Sequence, residues 1–143
     1  MSESDSFEEV YLREKLHFAA QDGDTENVSQ LLNDGYNPDL FDDIGKTPLH
    51  YAAAHGHIEV MKLLLDSGAN VNAHDESRIG NTPLGDVAAT CSLEVARILV
   101  DAGADPTIAG WMQLTALHKV QERKKPEGLQ VRELLEEAAK RFQ

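Results

Sequence analysis

Thr47-Pro48-Leu49-His50-Tyr51-Ala52-Ala53-Ala54-His55-Gly56-His57 reads as the start, body and end of one short helix. Thr47 can cap the first turn through its hydroxyl, and Pro48 suits the first helical position because the N–H it lacks would have no partner there. Leu49, Ala52 and Ala53 fall on one face. Gly56 breaks that helix. Beyond it Ile58, Met61, Leu64 and Leu65 recur at helical spacing while Glu59, Lys62 and Asp66 take the opposite stripe, which predicts an amphipathic second helix. The alanines of the first helix let the leucine-rich second helix approach closely. Gly68 stands just past the leucine run, where a left-handed residue closes a helix and the chain turns.

The same unit recurs in both directions. Upstream, Leu16-His17-Phe18-Ala19-Ala20 precedes Leu49-His50-Tyr51-Ala52-Ala53 by 33 positions, and Leu31-Leu32-Asn33-Asp34-Gly35 precedes Leu64-Leu65-Asp66-Ser67-Gly68 by the same interval. Downstream, Thr82-Pro83-Leu84 comes 35 positions after Thr47-Pro48-Leu49 because the loop Asp75 to Asn81 is two residues longer, and this copy closes at Asp101-Ala102-Gly103. A fourth copy opens at Thr115-Ala116-Leu117-His118 and continues as Leu129-Gln130-Val131-Arg132-Glu133-Leu134-Leu135, with about three extra residues within Arg123 to Gly128. Units of this size cannot bury an apolar face alone. They stack on their neighbours, which predicts a solenoid.

The strings from Gly45 to His57 and from Leu63 to Ala73 resemble the consensus of the ankyrin repeat family almost position for position. The resemblance covers roughly residues 10 to 137. It implies an all-α solenoid, an ankyrin stack of helix-turn-helix units linked by β-hairpin-like loops, forming a single domain over 1–143. The implied repeats are about 10–41 with an N-terminal cap, 42–74, 75–109, and 110–143 with the C-terminal cap. Repeat three departs from the pattern, with Gly85-Asp86 and Thr90-Cys91 where repeat two has His50-Tyr51 and His55-Gly56. Repeat one carries Glu14-Lys15 in place of Thr-Pro. Ser6-Phe7-Glu8-Glu9 has the form of a capping box, and Phe7 and Tyr11 are expected to cover the open end of the stack.

Charge restricts the partner. The net charge is −12, with 2 basic and 12 acidic side chains in residues 1–45, 4 and 8 in 46–110, and 7 and 5 in 111–143. An acidic first half repels phosphate backbones and anionic lipid and steers a basic protein, so no nucleic acid or membrane partner is expected. No apolar stretch approaches the roughly 18 residues that span a bilayer, and Met1 to Val10 lacks the basic start and apolar centre of a secretory signal. A cytoplasmic location is the expectation. Cys91 is the single cysteine, which excludes an internal disulfide.

Catalysis finds little support in the residues. His17, His50 and His118 occupy one repeat position, so they are expected to serve the repeat by hydrogen-bonding loop backbone. His55, His57 and His74 lack the cysteine or carboxylate spacing of a zinc site, and no nucleophile–base motif or glycine-rich phosphate loop occurs. No enzyme activity, metal or cofactor is therefore expected. Asp86 takes the place of an aromatic residue at a half-buried position. It must either find a partner or be exposed by a local bend.

The family resemblance also implies where a partner docks: on the concave side, made of the loop tips and the exposed residues of the first helices. Matched residue by residue, repeat one contributes Gln21, Asp22 and Phe41, and repeat two Asp43, Ile44, Lys46, His55 and His74. Repeat three contributes Arg78, Ile79, Asn81 and Thr90, and repeat four Trp111, Met112 and Leu114. Exposed Trp and Met are enriched at interface centres, although Trp111 could instead fold back on Pro106 or Ile108. The expected function is a monomeric, non-catalytic adaptor or inhibitor of a basic protein. A self-assembling or scaffolding subunit is the alternative, and a metal-dependent enzyme the remote one. The context of Asn72 resembles ankyrin loops that asparaginyl hydroxylases modify.

Overall fold

Two rows of helices lie side by side in the computed structural model, which describes residues 7–78 and 80–143. The first row holds α2 (Lys15–Asp22), α4 (Pro48–Ala54), α6 (Pro83–Val87) and α8 (Ala116–Val120). The second holds α3 (Thr25–Asn33), α5 (Ile58–Asp66), α7 (Leu93–Asp101) and α9 (Pro126–Ala139). Each helix of a row packs on the next, and the rows join within the pairs α2–α3, α4–α5 and α8–α9. A further helix, α1 (Phe7–Arg13), rests on α2. No strand forms among the described residues; the linking loops turn at their tips without sheet pairing.

The division of labour between rows follows from side-chain size. The inner row buries Ala19, Ala20, Ala52, Ala53 and Ala88, while the outer row inserts Leu64, Leu99 and Leu135, each fully buried. Truncating one of these leucines to alanine would cost roughly 2–5 kcal/mol. Helix starts are capped by Asp24 on Asn27 N (3.1 Å), Thr82 on Gly85 N (2.9 Å), Ser92 on Val95 N (3.2 Å) and Thr115 on His118 N (3.0 Å). Each such cap is worth about 1 kcal/mol. Gly35, Gly68 and Gly103 close α3, α5 and α7 at φ of 96°, 94° and 96°, in the left-handed conformation that their position requires.

The atypical copies fold by local substitutions. Repeat three turns between α6 and α7 without a glycine: Cys91 N donates to Val87 O at 2.8 Å, and Arg123 reaches back to Cys91 O at 2.8 Å. The extra residues of the fourth copy, Pro126-Glu127-Gly128, become an added first turn of α9, so that Val131 and Leu135 bury where Val95 and Leu99 do. Glu127 uses that position to accept from Leu93 N at 3.0 Å, capping its neighbour α7.

At the N-terminal end one expectation fails. Phe7 is 86% exposed, and α1 presents no buried residue. Tyr11 does stack on Phe18 (5.5 Å between ring centroids), and Tyr36 Oη donates to Leu12 O at 3.1 Å, so these contacts seat α1. Ser6 lies outside the described residues.

Candidate partner-binding face

The loops that carry the candidate face are built by a recurring side-chain ladder. Asn37, Asn70 and Asp105 each accept from the backbone N–H two residues on, at 2.9 Å, which folds a compact turn. Asp39 then accepts from Asn70 N and Asn72 from Asp105 N, both at 2.7 Å, tying each turn to the next. Asn72 also donates to Gly103 O at 3.2 Å, so both ends of its amide are engaged. The histidines add a second tie. His17 Nε2 donates to Leu40 O (2.8 Å) and Lys46 O (3.1 Å), and His50 Nε2 donates to Asn81 O (2.7 Å). His50 Nδ1 accepts from Thr47 N at 3.0 Å, which assigns the proton to Nε2, and burial pulls its pKa below the ordinary imidazole value.

His118 repeats half of this arrangement. Its Nδ1 accepts from Thr115 N at 3.0 Å, but its ring is exposed where that of His50 is buried. Repeat one departs at Glu14, which stands where the later copies have threonine; its buried Oε2 and His17 Nδ1 both lack a hydrogen-bond partner. Burial raises the Glu14 pKa.

Two tips share one backbone frame. Asp42 N donates to Lys46 O at 2.8 Å, and Gly110 N donates to Leu114 O at 2.9 Å. In the first tip Asp42 supplies its own support, accepting from Ile44 N (3.1 Å) and Lys46 N (2.9 Å). In the second, support comes from the repeat before: Asn81 Oδ1 accepts from Trp111 N at 2.9 Å. Position 110 must be glycine for that approach, since a Cβ there would lie 2.0 Å from Asn81 Oδ1 and 3.0 Å from Asn81 Cα. Met112 and Gln113 then adopt left-handed φ of 57° and 62°, a conformation that costs a non-glycine residue roughly 1–2 kcal/mol. The result projects Trp111 (57% exposed) and Met112 (72%) outward. Trp111 thus keeps more than half of its surface in solvent. With Met112, His74 and Arg78 it lines a groove of about 350 Å³ between neighbouring tips.

Behind the tips, Asp42, Lys46, Tyr51, Asn81 and Asp86 form a polar cluster, of which the sequence had pointed to Lys46, Asn81 and Asp86. Asp86 finds partners rather than being expelled: Asn81 Nδ2 donates to it at 3.0 Å and Lys46 Nζ lies 3.5 Å away. Lys46 also sits 5.9 Å from the centre of the Tyr51 ring, and the Tyr51 hydroxyl donates to Asp42. Burial and that carboxylate push the Tyr51 pKa up. Asn81 thus serves His50 through its carbonyl, Asp86 through its amide nitrogen and Trp111 through its amide oxygen.

The predicted face residues fall into three groups. Asp43, Ile44, Lys46, His74, Arg78, Asn81, Trp111, Met112 and Leu114 gather at the adjacent tips, where Arg78 packs against the tip at Gly45. Gln21, Asp22, His55 and Thr90 lie apart from them, exposed at the turns that end the inner helices. Phe41 is exposed on the loop leading into the first tip, and Ile79 lies outside the described residues. Asp42, Tyr51, Lys119, Lys124 and Lys125 were not picked out. A signal existed for Asp42, since Asp-Asp-Ile-Gly is a turn sequence whose first carboxylate caps later N–H groups.

Among the described residues no three His, Cys, Asp or Glu side chains converge as metal ligands would, and no helix is long and apolar enough to cross a membrane. A search of curated proteins finds no match to the chain. A family model for ankyrin repeats, in three copies, matches residues 16–110 and stops before the fourth helix pair, whose outer helix carries the added turn. With paired helices in two rows, left-handed glycines closing the outer helices and histidines tying successive loops, this chain belongs to the ankyrin repeat family.

Proposed function

We propose that this protein is a monomeric, non-catalytic adaptor or inhibitor that binds a basic protein partner through its concave face and loop tips. Ankyrin repeats generally mediate protein–protein interaction, and proteins built from them are typically non-catalytic. The observation that carries the reading is the tip at Trp111 and Met112. Two large apolar side chains stand in solvent on a turn that departs twice from favoured backbone geometry. Such a turn contributes nothing to the core, and strain of this kind clusters where binding uses it. The acidic first half supplies the steering for a basic partner.

Affinity capture from the source cell with three baits tests this. Proteins retained by the wild type and by Glu59→Ala/Lys62→Ala, an exposed pair on the outer face of α5, should be lost with Trp111→Ala/Met112→Ala. That double substitution should weaken binding by about 2 kcal/mol or more. Reversing charge at Asp22 and Asp43 should slow association and flatten its salt dependence. Retention by the tip variant and loss by the outer-face variant would place the partner on the other side. A concentration-dependent oligomer in light scattering would favour the self-assembling alternative.

A further inference from the structure

The turns that end the inner helices form a second row along the candidate face, and their charge changes sign from one end to the other. The turn after α2 carries Asp22 and Asp24; the next carries His55 and His57, whose rings stack at 5.8 Å; the third carries Thr90 and Cys91; the last carries Arg123, Lys124 and Lys125. Arg123 spends its guanidinium on Cys91 O (2.8 Å) and Ala88 O (3.4 Å), which pins the last turn against repeat three. Lys119, from the last turn of α8, directs its ammonium inward to Gly85 O at 2.7 Å and is half-buried. Lys124 and Lys125 are exposed and, among the described residues, form no ion pair. Together these side chains wall a groove of about 280 Å³ floored by Ala89, in which Glu122 is the one acidic side chain.

Distance keeps the two ends independent. Adjacent packed helices lie roughly 8–10 Å apart, so three steps along the row separate Asp22 from Lys124 by roughly 25–30 Å. That is several times the roughly 8 Å over which salt screens surface charges at physiological ionic strength. The acidic charge of repeat one therefore does not cancel the lysine cluster; the acidic groups beside it are Glu122 and, acting on Lys119, Asp86.

We infer that the groove walled by Lys119, Lys124 and Lys125 receives an acidic segment of the protein partner, so that the partner docks in one orientation, basic end on repeat one and acidic end on repeat four. This rests on the reading of the concave side as the partner surface and adds the partner's charge order to it. A uniformly basic partner would be attracted at one end of the row and repelled at the other. A charge-segregated one is attracted at both, and every reversed placement is penalised.

Three fluorescein-labelled peptides serve as probes: a tetralysine block, a tetraglutamate block, and the two joined by a flexible spacer of about 25 residues, whose r.m.s. length matches the row. Read by anisotropy at low salt, the joined peptide should bind on the order of tenfold tighter than tetralysine alone, because its second contact is intramolecular. Lys124→Glu/Lys125→Glu should remove that gain and leave tetralysine binding no weaker; both side chains are exposed, so the fold is not at stake. A joined peptide no tighter than tetralysine, or a gain that survives the double reversal, overturns the inference. So does an oligothymidylate that binds the lysine turn while tetraglutamate does not, or dimerisation that the double reversal abolishes, which would assign the cluster to a second copy. Failure of the underlying reading looks different: tetralysine binding would then be indifferent to charge reversal at Asp22 and Asp43.

Discussion

The tips at Asp42–Lys46 and Gly110–Leu114 close the same backbone ring, at 2.8 and 2.9 Å, yet they are held in opposite ways. The first is self-sufficient: one aspartate satisfies two of its N–H groups and a glycine takes the left-handed position. The second borrows its hydrogen bond from Asn81, thirty residues earlier, and places Met112 and Gln113 in the left-handed region without glycine. One frame thus admits a turn optimised for folding and a turn that exposes Trp111 and Met112 at the expense of local strain. On the proposed function, the second tip is the one whose side chains matter more than its stability.

The comparison can be broken most sharply at Gly110. Gly110→Val puts a Cβ within 2.0 Å of Asn81 Oδ1 and within 3.0 Å of the Asn81 backbone. It should cost about 2–3 kcal/mol in urea unfolding and shift the Trp111 emission as the tip is displaced. An unchanged midpoint would mean the tip does not rest on Asn81. Asp42→Ala tests the self-supported tip, where two N–H groups and the Tyr51 hydroxyl lose their acceptor; a loss of roughly 1–2 kcal/mol is expected. Gln113→Gly should act in the other direction. Relief of the left-handed strain should raise stability by up to about 1 kcal/mol, whereas Gly45→Gln at the matching position of the first tip should lower it.

The smallest effect is with pH. Burial holds the His50 pKa below the ordinary 6.5, so the unfolded chain takes up a proton that the folded chain resists. Stability should therefore be complete above about 6.5 and fall as the pH drops below it. The slope should flatten in His50→Asn; a midpoint independent of pH between 7 and 5.5 in the wild type would contradict the buried, neutral His50 described here.

What the sequence made legible is what is local or periodic. Thr47-Pro48, the leucine runs and Gly68 each state their own conformation, and their recurrence sets the stack; even the role of His50 follows from its repeat position. The registration of the fourth copy was half-legible: three extra residues were evident, but only packing shows that they lengthen α9 by a turn and let Glu127 cap α7. The non-local ties were hidden. Nothing near Gly110 names Asn81 as its neighbour, and nothing near Asp86 names Lys46, because these pairs meet only once adjacent repeats have stacked. Phe7 misled for the related reason that an apolar residue near a chain end has no periodic neighbour to test it against.

A photo-activated crosslinker placed singly at position 44, 112 or 62 tests the central claim most directly, with the partner identified by mass on each adduct. Positions 44 and 112 sit on the two tips and position 62 on the outer face of α5. The account predicts partner adducts from positions 44 and 112 and none from 62. Adducts from 62 with none from the tips would contradict it.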